Sequence, residues 1–534
     1  MATLAETIIA ALHARGTRHM FGVPGGGSSL DLIEAARIVG IEFILSGSET
    51  SGAFMAAVTA ELTGAPGAIL AGVGPGAAAA VNGIAYAGLE CAPVVMLTDC
   101  KDRPPEDGGS LHQSFDQAAM FRPITKAATR LRPSDGHAAV EALLDLAMAP
   151  PLGPVHVDMS TRDASQSMAE GGVGLAIPSP APRPGAETVS AVRSLLAKSR
   201  RPVILAGLEA RGEAAARSLA ELATALGAAV MTTYKAKGVL PDGDERLIGP
   251  FTGAAAEAAC VGQADLIILY GFDPIEMVPL PWTYTAPLVE VSAAPNYRQP
   301  AEPAARLIGP LAESVAALDL DAPADGWPTA DLGRVKNGMR EALTVDGAGT
   351  TMDAVVDAIA VTSPDGTRLT VDAGAHMFSV FQRWPASSPF GVMKSNGLST
   401  MGFALPAAIG SALAEPETPV CAVTGDGGMM MCLAELATAA RLELPLVVVV
   451  ANDAALSLID IKQQRQQRPS VGVRYPRVDF AQAARGLGAR GYRVDAPDKI
   501  EAVLRQAFRE PGPSVVDIAL DPAGYGGQLE ALRG

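Results

Sequence analysis

Apolar residues along this chain come in short, nearly uninterrupted runs, at 41–45, 93–97, 202–205, 266–269, 420–423 and 446–450. Between them lie stretches rich in Ala, Leu and Glu, such as 30–38, 213–226 and 431–442, that read as helices. Strands buried on both faces and separated by helices predict parallel sheets covered by helices on each side, an α/β fold. Two joins interrupt the pattern: residues 165–187, rich in Gly, Pro and Ser, and residues 320–329. They divide the chain into expected domains at 1–165, 188–320 and 345–525, each of ordinary size. Gly153-Pro-Val-His-Val-Asp-Met159 closes the first unit and Gly512-Pro-Ser-Val-Val-Asp-Ile518 the third. Either a common Gly-Pro turn recurs there by chance, or units one and three share a fold.

Composition narrows the possibilities. The 534 residues are 49 % hydrophobic and 18 % charged, which rules out global disorder, and the net charge of −16 argues against binding a nucleic-acid backbone. Five cysteines (Cys91, Cys100, Cys260, Cys421, Cys432) form no CxxC pair, so a disulfide framework or zinc site is not expected and a reducing cytoplasm fits. The start carries Glu6 and no basic segment, so no signal peptide is expected. Residues 62–89 hold no charge, long enough to span a membrane. Pro66, Pro75, Asn82 and seven glycines would expose backbone that lipid cannot satisfy, so the stretch reads as sheet core.

The chemistry concentrates in Val420-Cys-Ala-Val-Thr-Gly425-Asp426-Gly427-Gly428-Met429, followed by Val447-Val-Val-Val-Ala-Asn452-Asp453. Twenty-four residues separate Gly427 from Asn452, the length of one crossover helix with its loops. Asp426 and Asn452 are thereby expected at the carboxyl ends of neighbouring parallel strands, where open α/β sheets bind ligands. A carboxylate and an amide oxygen suit a hard cation such as Mg²⁺ carrying diphosphate oxygens. Glycines 425, 427 and 428 would let backbone N–H groups approach those phosphates. A turn that only caps a helix would have the same Gly-Asp-Gly; the two strand contexts favour the cation site.

This arrangement resembles the cofactor motif of the thiamine-diphosphate-dependent enzymes. The resemblance implies Mg²⁺ held by Asp426, Asn452 and the backbone carbonyl of Ala454. It implies a catalytic Glu49, in Ser46-Gly-Ser-Glu49-Thr, set against the cofactor's aminopyrimidine ring. In Asn396-Gly397-Leu398-Ser399-Thr-Met401, the loop would contact that ring and Met401 would prop the cofactor into a bent shape. Pro24, Gly25, Gly74, Met429, Leu456 and Ile459 are further expected cofactor contacts, with Gly26 and Gln463 facing the substrate. The three units become pyrimidine-binding, middle and diphosphate-binding domains.

Within the family the chain is similar to acetolactate synthases, particularly the catabolic, FAD-independent kind. Leu111-His112-Gln113-Ser114 … Pro123-Ile-Thr-Lys126 carries this similarity, with His112 and Gln113 as catalytic candidates. The stretch from Tyr270 to Pro279, with Trp282, matches too. The expected reaction is decarboxylation of a 2-oxo acid, pyruvate first, with carboligation to a second carbonyl; no FAD is expected. Leu456, where the family often has an aromatic, weakens the substrate assignment. Alternatives are a 2-hydroxyacyl-CoA lyase, with the basic run Lys462–Arg468 holding an ADP moiety, another 2-oxo acid decarboxylase, or an idle cofactor-binding subunit. Because Glu49 and the Mg²⁺ motif fall in different domains, the resemblance implies a homodimer or homotetramer with sites at the subunit interface.

Overall fold

The computed structural model describes residues 2–533 apart from 104–107, 170–182, 297, 321–324, 346 and 348. Most of the expected 165–187 join, and part of the 320–329 join, lie outside the described residues. The chain builds three six-stranded, wholly parallel sheets, each covered by helices. The first contains β1 (His19–Val23), β2 (Glu42–Leu45), β3 (Gly67–Ala71), β4 (Val94–Asp99), β5 (Ala127–Arg130) and β6 (Val155–Met159). The second contains β7 (Pro202–Ala206), β8 (Ala229–Thr232), β9 (Leu247–Pro250), β10 (Leu266–Tyr270), β11 (Leu288–Ser292) and β12 (Ala305–Ile308). The third contains β13 (Arg368–Val371), β14 (Val392–Lys394), β15 (Val420–Gly425), β16 (Leu446–Asn452), β17 (Arg490–Val494) and β18 (Ser514–Ala519).

The first sheet runs β2-β1-β3-β4-β6-β5 and the third β14-β13-β15-β16-β18-β17, the same order element for element. The Gly-Pro echo therefore marks the same closing strand, β6 and β18, of one repeated fold. The middle sheet, β12-β11-β10-β7-β8-β9, winds outward from β7 in both directions. In the two outer sheets the winding reverses between β1 and β3 and between β13 and β15, which opens a crevice at the carboxyl ends of those pairs. The charge-free stretch 62–89 becomes the end of a helix, β3 and two short helices. Among the described residues no helix is long and apolar enough to cross a membrane.

The outer domains pack through two helices. Glu49–Thr63 starts at Ser48, whose side chain accepts from the Ser51 N–H, and stops at Gly64 in the left-handed region. Most of it is buried, because it lies against the equally buried Ala404–Ala414. Small residues set the closeness: a Cβ on Gly410 would stand 2.9 Å from the carbonyl oxygen of Met55.

At the far end of Glu49–Thr63 the three domains meet in a buried charge cluster. Glu61 pairs with Arg211 and, at 2.8 Å, with Lys235, both from the middle domain, and accepts from the Tyr86 hydroxyl at 2.6 Å. Lys235, 1 % exposed, also lies 3.3 Å from Glu90. Burial alone would raise Glu61, but Lys235 and Arg211 outweigh it and hold the carboxyl down at about 2. Removing one member of such a cluster strands its partners in a medium that cannot solvate them. Glu61→Leu is expected to cost about 3–5 kcal/mol, read as an earlier urea-unfolding transition. Arg37→Met, which breaks only the exposed Arg37–Glu34 pair, should leave the transition in place.

Candidate functional site

Each outer crevice carries part of the expected site. In the first domain β1 runs into Pro24-Gly25-Gly26-Gly27 before the helix Ser28–Val39. Gly25 and Gly26, with Gly72, Val73 and Gln113, line a cavity of about 480 Å³. A Cβ on Gly25 would fall 2.7 Å from Asp99 Oδ2 and 3.1 Å from Gly72 Cα, so the two turns approach to a distance only glycine allows. Asp99 is buried and accepts from the hydroxyls of Ser28 and Ser29. Gly74, at φ 71°, lies under the Gln113 carbonyl, which a Cβ would meet at 2.5 Å. Its N–H donates to Gln117 Oε1 at 2.7 Å, and Gln117 in turn donates to Asp158. Gln113 itself sits at φ 61°, and both it and His112 are exposed. Glu49 is the first residue of its helix, half-buried, with Oε1 beside Gly76. Pro24 is exposed on the same turn.

In the third domain a cavity of about 210 Å³ is lined by Ser399, Met401, Gly425, Asp426, Gly427 and Gly428, together with Leu456 and Ile459. The glycines are required by what surrounds them. A Cβ on Gly428 would fall 2.1 Å from Asp372 Oδ2, and one on Gly427 would meet Leu456 Cδ2 at 2.6 Å and Met401 Cε at 3.1 Å. Asp426 accepts from the N–H groups of Gly427 and Ala454 at 2.7 and 2.6 Å and from the Tyr475 hydroxyl at 2.7 Å. Asp372, fully buried, accepts from the N–H groups of Gly402, Phe403 and Ala404 and so anchors the end of the Met401 loop.

Other expected residues lie elsewhere. Asn452 ends β16 with Nδ2 donating to Asp517 and to the Val478 carbonyl; its Oδ1 is buried with no partner. It does not line the cavity, whereas the next residue, Asp453, does. The Ala454 carbonyl accepts from the Tyr475 N–H at 3.2 Å, while Ala455 lines the cavity. Met429 is core, and Leu398 packs against the same core. Asn396 and Gly397 open the Met401 loop, with their N–H groups on Glu90. Gln463 spends both ends of its amide on the backbone of Val471. In the basic run, Arg465 donates to the Gly526 carbonyl.

Among the cavity residues that the sequence expectations did not assign to the site are three polar ones able to meet a ligand: Asp453, His376 and Tyr525. Asp453 is pushed up to about 6 by burial and by the neighbouring Asp426. His376 is held down at about 4 by burial and by Lys394, and its Nε2 is buried with no partner. Asp426 is raised by burial against the pull of its donors. Two crowded carboxylates, an imidazole whose Nε2 is free of partners and a backbone opened by glycines fit a cation with an anionic group. Strand alternation at the end of β16 was the available signal for Asp453, since neighbouring positions face opposite sides. His376 could have been found as the loop after β13, the equivalent of the Pro24 turn after β1.

Comparison with known proteins agrees with this geometry. Family models match for the N-terminal TPP binding domain of thiamine pyrophosphate enzymes over residues 2–120, for their central domain over 189–318, and for their C-terminal TPP binding domain over 372–518. The chain is 32 % identical to a catabolic acetolactate synthase of Raoultella terrigena, covering 97 % of this chain and 95 % of that one. It is 30 % identical to an acetolactate synthase of Bacillus subtilis (strain 168), covering 97 % and 93 %. A 2-hydroxyacyl-CoA lyase of Oryza sativa subsp. japonica is similar at 24 %, covering 96 % and 94 %. With two paired cofactor-domain folds, a central domain between them and these relatives along its length, the chain belongs to the thiamine-diphosphate-dependent enzymes, among the acetolactate synthase-like decarboxylases and carboligases.

Proposed function

We propose that this enzyme decarboxylates pyruvate and joins the remaining two-carbon unit to a second pyruvate, giving 2-acetolactate, with thiamine diphosphate held through Mg²⁺. The observation that carries the reading is the glycine-lined cavity holding Asp426, Asp453 and His376, in a chain similar throughout to acetolactate synthases. When bound, the cofactor supplies an electron sink for the carboxylate's departure. Asp426 and Asp453, with the backbone of Ala455, would hold the cation; this assignment replaces Asn452 and Ala454, whose polar groups are engaged elsewhere or face away. His376 would donate to a diphosphate oxygen through Nε2. Met401 and Leu456, which converge over Gly427, would press together on the bound cofactor. Glu49 would hold the proton at the ring nitrogen, and Gln113 and His112, exposed on one loop, would face the substrate beside Gly26.

A flavin is no part of this reading. The middle sheet's own crevice, between the ends of β7 and β10, is occupied by Glu209, Asp273 and Glu276. The Leu208 N–H that opens the turn is already taken by Glu276 Oε2 at 2.8 Å. Burial pushes both Glu209 and Glu276 up to about 7, and their side chains fill the turn and take the N–H that a dinucleotide's phosphates would need. The enzyme is proposed to work in the cytoplasm, in keeping with five free thiols.

The reading includes an obligate dimer or a tetramer built as a dimer of dimers. Glu49 and the Gln113 cavity belong to one domain, and the 210 Å³ cavity draws every lining residue from another. Large apolar side chains stand exposed beside both: Leu111 (80 % exposed) and Phe115 near Gln113, Met431 (64 %), Met430 and Ile459 near the diphosphate cavity. A second copy, turned so that each half faces its complement, would cover both sets.

Three measurements check these statements. A panel of 2-oxo acids, with Mg²⁺ and thiamine diphosphate and products identified by mass, should release CO₂ from pyruvate and yield 2-acetolactate. Turnover of 2-hydroxyacyl-CoA alone would sink the substrate assignment. Asp453→Asn should weaken apparent Mg²⁺ affinity by about 10–100-fold, whereas Asn452→Ala should leave it within about twofold, measured by cation titration of cofactor binding. Finally, Glu49→Gln and Asp453→Asn chains, each impaired alone when assayed at limiting Mg²⁺, should regain activity when co-refolded. Mixed dimers hold one intact site if the halves come from different chains and none if they come from the same chain.

A further inference from the structure

The Met401 loop is clasped at its start by carboxylates that belong to other domains. Glu90, 1 % exposed at the end of the helix Val81–Leu89, accepts with a single oxygen, Oε1, from the N–H groups of both Asn396 and Gly397, at 2.6 and 2.7 Å. Its other oxygen faces Lys235 of the middle domain at 3.3 Å. Glu276, also of the middle domain, accepts from Asn396 Nδ2 at 3.4 Å. Gly397 is pressed into the same corner: a Cβ there would meet Ile275 Cγ1 and Leu89 Cβ at 3.1 Å. At the loop's other end, Asp372 of the loop's own domain takes the N–H groups of Gly402, Phe403 and Ala404. Between the two anchors the chain crosses Ser399, exposed and at φ 53°, and Met401 in the cavity wall.

We propose that Glu90 is a positioning residue for the cofactor: by accepting both N–H groups at Asn396–Gly397 it fixes, from the N-terminal domain, the loop that carries Met401 into the diphosphate-side cavity of the same chain. The interaction is charge-assisted on the acceptor side, so it is stronger than a neutral pair, and Lys235 supplies the counter-charge that lets the carboxylate stay buried. Two peptide N–H groups converging on one oxygen leave that stretch of backbone a single placement. Without the acceptor both part-buried donors lose their partner, and the loop's start moves off its seat. The cofactor touches none of this directly; what it meets is a Met401 wall in its proper place or displaced. The proposal rests on the reading that this loop contacts the cofactor.

The test separates the acceptor from the ion pair. In Glu90→Gln/Lys235→Met the charge pair is gone but an amide oxygen remains for the two N–H groups. In Glu90→Leu/Lys235→Met the pair is gone and so is the acceptor. Glu61 keeps Arg211 and Tyr86 in both. Thiamine diphosphate affinity, measured by calorimetric titration in saturating Mg²⁺, should stay within about twofold of the parent in the first variant and weaken about tenfold or more in the second. The cofactor-free Leu variant should melt below the Gln variant, since it leaves both N–H groups unpaired, so the affinities are compared at a temperature where both variants are fully folded by circular dichroism, a condition under which a purely structural role would leave them equal. Equal affinities in the two variants would overturn the proposal. Met401→Ala distinguishes the underlying reading: if it leaves affinity unchanged, the loop does not serve the cofactor. If it weakens affinity and the two double variants do not differ, Glu90 alone is excluded. Should either double variant fail to fold, amide exchange of the parent without cofactor decides, read at residue resolution by fragmentation. Asn396 and Gly397 should exchange far more slowly than Ser399, and exchange as fast as Ser399 would overturn the assignment.

Discussion

Everything in this molecule hangs on charges placed where charges are expensive. The side chains of Glu61, Glu90, Arg211 and Lys235 are buried where the three domains meet, in surroundings that would reject any one of them alone. Apolar contact would hold the domains together as well, but it tolerates sliding. Directional ion pairs and hydrogen bonds admit one arrangement, and the helix Glu49–Thr63 transmits it, since it starts at the expected proton-handling residue and ends in the cluster. The relative placement of the domains and the placement of Glu49 are therefore set by one constraint.

The second organising fact is the repeated sheet order of the outer domains. Because both wind outward from the same strand pair, both open a crevice at the same place, and glycines line both for the same steric reason. One crevice is furnished with a buried Asp99 and the Gln113 loop, the other with Asp426, Asp453 and His376. A single fold thus presents two chemically different crevices, one in each TPP binding domain.

How much of this the sequence discloses depends on how local each feature is. Apolar runs bounded by helical stretches announce parallel sheets, and Gly425-Asp-Gly-Gly after such a run announces a crevice, because strand, turn and helix are contiguous. The three-domain division and the family were legible for that reason. Which of Asn452 and Asp453 lines the cavity turns on a single position at a strand end, where one residue reverses the facing direction; β16 continues through Asn452, whose side chain turns toward Asp517, and Asp453 lines the cavity. His376 and Tyr525 reach the cavity from segments about 50 residues before and about 70 after it in sequence, so no spacing rule could join them. Glu90 and Lys235 were invisible for a different reason. Composition and periodicity treat charges as solvent-facing, and a buried pair contradicts that prior until coordinates reveal the partners.

The charge cluster also bears on how such a protein can change over time. Domains of this architecture look exchangeable, each with its own sheet and helices. Yet the middle domain contributes the cations and the N-terminal domain the acids, so neither can be traded for a relative's counterpart without inheriting an unbalanced interior. Recombination at the joins would be selected against wherever the incoming middle domain lacks a base at 211 and at 235. The three domains are modular in shape but, through four buried side chains, inherited as a unit.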